Sequence, residues 1–153
     1  MSIVKKRIVE LGFEMPVFLK PAGIYLLSRR FDNFVITSGQ GPKVDGKVVY
    51  HGKVGKDLTM EDAYKAAQIA CLNCLASIEI EIGNLDNIVQ VVSLLGFVNS
   101  TPNFVDQAKV MDGASHLLLN ILGERGKGAR MVIGSNVLPN NMAVEIQLIV
   151  EVE

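Results

Sequence analysis

Residues 143–152, AVEIQLIVEV, alternate without a break. Val144, Ile146, Leu148, Val150 and Val152 fall on one side of an extended chain, and Ala143, Glu145, Gln147, Ile149 and Glu151 on the other. A period of two sustained this long specifies a strand with one face in a core and the other of mixed polarity. Just upstream, GARMVIGS (128–135) is a second β-rich run, and a Leu-Pro-Asn-Asn segment at 138–141 supplies the turn between them. Arg130 stands at the mouth of one strand and Glu145 inside the next.

Working back from this pair, residues 104–122 read as a helix with Val105, Leu117, Leu118, Ile121 and Leu122 as its apolar positions, closed by Gly123. NIVQVVSLLGFVNS (87–100) reads as a buried strand. Before it, Thr59 and Asp62 approximate a capping box for a long helix that Gly83 ends. On that helix Ala63, Ala66, Ala67, Ala70, Cys74 and Ile78 form a narrow small-residue face able to lie close to a sheet. GIYLLSRRFDNFVITSGQG (23–41) reads as a β-hairpin turning at Asp32-Asn33, and the glycine-rich residues 41–58 as a loop with a short strand at Lys47–Tyr50. At the N-terminus, residues 3–11 predict a short helix ended by Gly12, and Pro16 and Pro21 bracket an extended linker. The order is β-β-(β)-α-β-α-β-β behind a short helix: an α+β fold, a mixed sheet with two long helices on one face. No further element is left to cover the other face, which predicts self-association.

With 153 residues the chain is read as one domain, 1–153, of which 1–19 form an N-terminal extension. Hydrophobic residues make up 49% of it and the mean hydropathy is +0.31, an apolar excess that points to a subunit interface. No apolar stretch approaches the roughly 18–20 residues of a membrane span, and MSIVKKRIVELGF lacks the apolar run of a signal peptide. A net charge of −1 gives no cationic field for nucleic acid. Cys71 and Cys74 form a lone C-x-x-C inside a helix, without a second Cys or His pair to complete a zinc shell. They read as small core residues whose free thiols suit a reducing compartment, so the expected location is the cytoplasm.

Several residues invite chemistry. Arg130 follows GERGKGA and is either a strand-edge ion pair or an anion-binding fork. Glu145 is either solvated surface or a carboxylate lining a cleft, where it could orient water. His51 and His116 have no clustered carboxylates, so no metal is expected. Ser38 lacks a nucleophile elbow, and the glycines at 39, 41, 46, 52 and 55 match no phosphate fingerprint.

FVITSGQGP, the helix containing AAQIACLNCLASIE, and above all ARMVIGSNVLP followed by AVEIQLIVEV resemble the Rid/YjgF family of reactive-intermediate imine deaminases. The likeness runs from about residue 20 to the C-terminus, and the extension marks a longer branch. It implies a chorismate-mutase-like fold and a homotrimer with a ligand cleft at each subunit interface. It also implies hydrolysis of 2-imino acids or their enamines to 2-keto acids and ammonia, without cofactor. By the resemblance Arg130 pairs with the substrate carboxylate, and Glu145 with the Val132 backbone positions the attacking water. Tyr25 closes the cleft from a neighbouring subunit, and Gly39 borders it. Arg130 beside Glu145 would favour the ionised carboxylate. Val132 replaces a cysteine common in the family, and an asparagine often seen in the second helix falls near Ala108 by ungapped counting. The alternative reading is a non-catalytic trimer that binds a small carboxylate.

Overall fold

The computed structural model describes residues 1–17 and 20–153. Its central element is β7 (Val144–Val152), hydrogen-bonded on both edges. One neighbour is β2 (Phe34–Thr37), which forms a hairpin with β1 (Ser28–Phe31) around Asp32, held at φ 53°. The other is β5 (Ile88–Asn99), antiparallel to β7, with β6 (Ala129–Ser135) parallel to it at the far edge. The five-stranded order is β1-β2-β7-β5-β6. The mixed sheet and the order of elements along the chain agree with the sequence pattern, which does not address the order of strands within the sheet.

The two long helices, α2 (Met60–Ile82) and α3 (Gln107–Leu122), pack on one face. Every inward residue of β7 named from the alternation, Val144 to Val152, is buried there. The small-residue face of α2 is buried along its length, from Ala63 to Ile78. Thr59 and Asp62 form the reciprocal capping box, and Gly83, in the left-handed region, ends the helix. Where α2 and α3 touch, a side chain at Gly113 would run into the backbone carbonyl of Tyr64, so the helices approach to backbone contact.

Helix α3 begins later than the periodicity suggests. Val105 is 80% exposed and lies before the first turn, while Phe104 folds back onto the core. The loop expected over 41–58 contains a two-residue hairpin, β3 (Lys43–Val44) with β4 (Lys47–Val48). Its turn is Asp45-Gly46, both at positive φ, a strong hairpin dipeptide that lies outside the strand expected at 47–50.

At the N-terminus α1 (Ile3–Glu10) buries Val4 and Ile8. The Asp86 carboxylate accepts from the Ile3 and Val4 N–H groups at 2.9 Å each, and Arg7 Nη1 donates to the Ile121 carbonyl at 2.9 Å. These bonds at the helix's open end hold Asp86 below its ordinary pKa. The linker expected between Pro16 and Pro21 includes Phe18 and Leu19, which lie outside the described residues.

The second sheet face carries exposed apolar residues: Phe31, Phe34 and Ile36 on one side, Met131 and Ile133 on the other, from 37% to 77% exposed. No helix of the described residues is long and apolar enough to cross a membrane.

Gly113→Ala will force α2 and α3 apart and destabilise the fold by about 1–3 kcal/mol, as overpacking commonly does. Urea unfolding monitored by circular dichroism will read the shift in midpoint.

Candidate functional site

Arg130 pairs with Leu94 in the β5–β6 register. Leu94 is a core residue, so the alternation sends the Arg130 side chain toward the helix side of the sheet. There its Nη1 donates to Asp112 Oδ1 at 2.8 Å and to Ser115 Oγ at 3.0 Å. Asp112 and Ser115 are three residues apart and share one face of α3. The ion-pair reading of Arg130 is thus realised, but through Nη1 alone. Its Nη2 and Nε make no hydrogen bond among the described residues and stay available to a second, two-pronged acceptor. The group borders a pocket of about 320 Å³, floored by Val91 and Leu94, with His116 and Lys127 at its rim. The His116 ring lies 2.9 Å from the Tyr64 hydroxyl, which holds it in place.

Glu145 takes the opposite direction. Its β5 partner is Phe97, and both belong to the open face. The backbones of Gln40 and Ile146 exchange hydrogen bonds of 2.8 and 2.9 Å, which presses Gly39 against the Glu145 carboxylate. A Cβ at Gly39 would overlap that carboxylate. Burial pushes the Glu145 carboxyl above its ordinary range, and Lys43 opposes the shift only in part. The expectation that Arg130 would favour the ionised form does not hold within one chain: the neighbouring cation is Lys43, and desolvation outweighs it.

Tyr25 is half exposed, its hydroxyl accepting from the Ala22 N–H at 3.1 Å, and it shares with Gly39 a cavity of about 580 Å³. Val132 lies opposite Gly96 on the edge strand, its side chain packed toward the core. Ala108 is exposed in the first turn of α3, while the helix groups that reach Arg130 are Asp112 and Ser115. Ungapped counting missed them. An acid flanked by Met111 and Gly113 in a helix buried on that side was the available signal.

Gly39 therefore touches Glu145 on one side and shares a cavity with Tyr25 on the other, while Arg130 lies elsewhere. β5 separates β6 from β7, which sets the two strands about 10 Å apart, and the two side chains leave opposite faces. One chain does not bring them together.

The remaining candidates take structural roles. Ser38 Oγ donates to the Leu26 carbonyl at 2.6 Å, and His51 faces the Asn140 carbonyl at 3.3 Å. Cys71 and Cys74 are fully buried in the core. Burial raises both thiols, Cys74 to about 12, so they stay protonated. Among the described residues no three His, Cys, Asp or Glu side chains are grouped to hold a metal.

The raised Glu145 carboxyl has a defined consequence. The folded state binds this proton more tightly than the unfolded chain, so stability falls as pH rises through the ordinary carboxylate range toward the raised value. Glu145→Gln will therefore be more thermostable than wild type near neutrality, and the gain will shrink toward acid pH. Melting temperatures of both proteins across pH will show that convergence.

Against known proteins, residues 5–152 match the family model described as "YjgF/chorismate mutase-like, putative endoribonuclease". The chain is 35% identical over 149 residues to Protein TCP17 of Trypanosoma cruzi, covering 97% of this chain and 93% of that one. Among solved structures it resembles Atu1372 of Agrobacterium tumefaciens, a protein of unknown function, with 39% identity and a TM-score of 0.93 over 99% of this chain and 93% of that one. Escherichia coli TdcF, solved with bound serine, shares the fold at 18% identity and a TM-score of 0.60, over 91% of this chain and 94% of that one.

Proposed function

We propose, from the premise that the chain belongs to the YjgF/chorismate mutase-like family, that it hydrolyses reactive 2-imino acids or their enamine tautomers to 2-keto acids and ammonia. The reaction runs at clefts between the subunits of a homotrimer. The observation that carries this reading is the division of the site. An arginine with unspent donors lies on the helix side of an edge strand, and a half-buried carboxylate lies on an open, apolar sheet face. A second copy laid against that face supplies the missing half and covers the exposed Phe34, Ile36, Met131 and Ile133.

In the proposed mechanism Arg130 Nη2 and Nε grip the substrate carboxylate by charge-assisted hydrogen bonds, each worth about 1.5–3 kcal/mol. Asp112 and Ser115 hold the guanidinium in place through Nη1. Water attacks the C=N carbon, and Glu145 of the adjoining subunit, aided by the Val132 carbonyl, takes its proton. The resulting amino alcohol collapses to the keto acid as that proton returns to the departing nitrogen, which leaves as ammonia, while Glu145, a carboxylate again, takes the proton of the hydroxyl that becomes the carbonyl. Within one chain burial raises the Glu145 carboxyl, and the adjoining Arg130, its charge shared with Asp112 and the substrate carboxylate, favours the ionised form that accepts the proton. Gly39 lets the carboxylate pack against the backbone, and Tyr25 closes the cleft. The protonated imine is already electrophilic, so orientation of water and one base supply the required assistance.

A second reading, a trimer that binds a small carboxylate without turnover, draws on the Asp112 contact. It partly neutralises Arg130. Serine bound to TdcF supports carboxylate recognition on this fold. A net charge of −1 gives RNA cleavage little support.

An amino-acid oxidase generating 2-imino acids in the presence of semicarbazide tests the proposal. Wild type will divert imine from the trap, and Arg130→Ala will lose at least about tenfold of that rate. Light scattering will give the mass of three chains. Failure of wild type to compete for any imine overturns the enzymatic reading, and titration with small carboxylates then decides the second.

A further inference from the structure

A cavity of about 580 Å³ lies between α2, the β3–β4 turn and residues 12–17 and 20–22. It meets Gly39 and Tyr25 at one end, but its floor lies on the helix side of the Gly39–Gln40 segment, away from Glu145. Its volume is that of an ordinary small-molecule site.

Two buried carboxamides line it. Gln40 is 7% exposed, and although its backbone bonds to Ile146, its side chain makes no hydrogen bond among the described residues. Asn73 is 1% exposed. Its Nδ2 donates to the carbonyls of Gly41 and Lys43 at 3.0 Å each, which leaves Oδ1 without a donor among the described residues. Among the described residues no side-chain nitrogen or oxygen is sealed off without a partner, so these open amide atoms reach the cavity, where a ligand or water pairs with them. The charges around the cavity are two lysines, Lys20 and Lys43, against Glu14 and Asp45. That balance selects neither an anion nor a cation. The walls, including Phe13, Met15, Ile69 and Leu72, are apolar.

We propose that this cavity binds an uncharged ring compound with an N–H–C=O edge, the lactam and cyclic imide class. A primary carboxamide such as that of Gln40 matches this edge with one donated and one accepted hydrogen bond. Asn73 Oδ1 takes a further N–H, and the apolar walls hold the ring. The site does not use Arg130 or Glu145, so it stands or falls apart from the deaminase reading. Phe13 and Met15 of the extension form one wall of the site.

Ligand-detected NMR and calorimetry on the full chain with 2-pyridone, uracil and hydantoin test it, with benzene as a control lacking the edge. At least one of the three will bind, and benzene will not. Gln40→Met, which keeps the volume but removes the amide, will weaken binding at least tenfold with an unchanged melting temperature. Ile69→Trp, which fills the cavity, will abolish it. Arg130→Ala will bind as wild type does. Absence of binding by all three compounds, equal binding by Gln40→Met, or loss of binding in Arg130→Ala overturns the proposal.

Discussion

The fold depends on the alternation of β7 between two edges. Its inward side chains are buried beneath α2 and α3, and its backbone is bonded to β2 on one side and β5 on the other. A one-residue slip would send Val144 through Val152 to the open face and bring Glu145, Gln147 and Glu151 under the helices. The cost of burying two unpaired carboxylates fixes the register. The same constraint fixes Glu145 on the open face and, through the β5 and β6 registers, Arg130 on the other.

Above the sheet, the close approach of α2 and α3 rests on small residues. Alanines along α2 and Gly113 on α3 let the helices meet at backbone contact. This approach sets α3 over the sheet so that Asp112 and Ser115 reach Arg130. The N-terminal extension is tied to this layer at both ends of α1, through Asp86 and Arg7. Its later residues, Phe13 and Met15, pack against the core and wall the large cavity. Helix packing and extension thus shape the two concavities on the helix side, while the apolar open face remains for a partner in the proposed assembly.

Electrostatics divides the acidic groups by the same geometry. Asp86 faces the open N–H groups of a helix and is lowered, whereas Glu145 is pressed against Gly39 in a desolvated position and is raised. Position along the chain distinguishes neither, because both are carboxylates beside apolar residues. The difference lies in whether backbone donors or apolar atoms surround the charge.

Much of this was legible in the residues. The β7 alternation, the Thr59–Asp62 box, the Asp32 turn and the small-residue face of α2 are local signals, each set by periodicity or backbone preference within a few residues, and they sufficed for the α+β order and its uncovered face. The Arg130–Glu145 spacing carried the family resemblance that the family match bears out. Tertiary structure alone decided which partners those charges meet. Arg130 is held by Asp112 and Ser115 from another element, Glu145 is desolvated by Gly39 rather than charged by Arg130, and Gln40 and Asn73 open onto one cavity. These contacts join residues up to 106 positions apart, as for Gly39 and Glu145, and depend on the sheet register and the helix approach. A chain pattern records which way a side chain points, but only the packed fold sets what it points at.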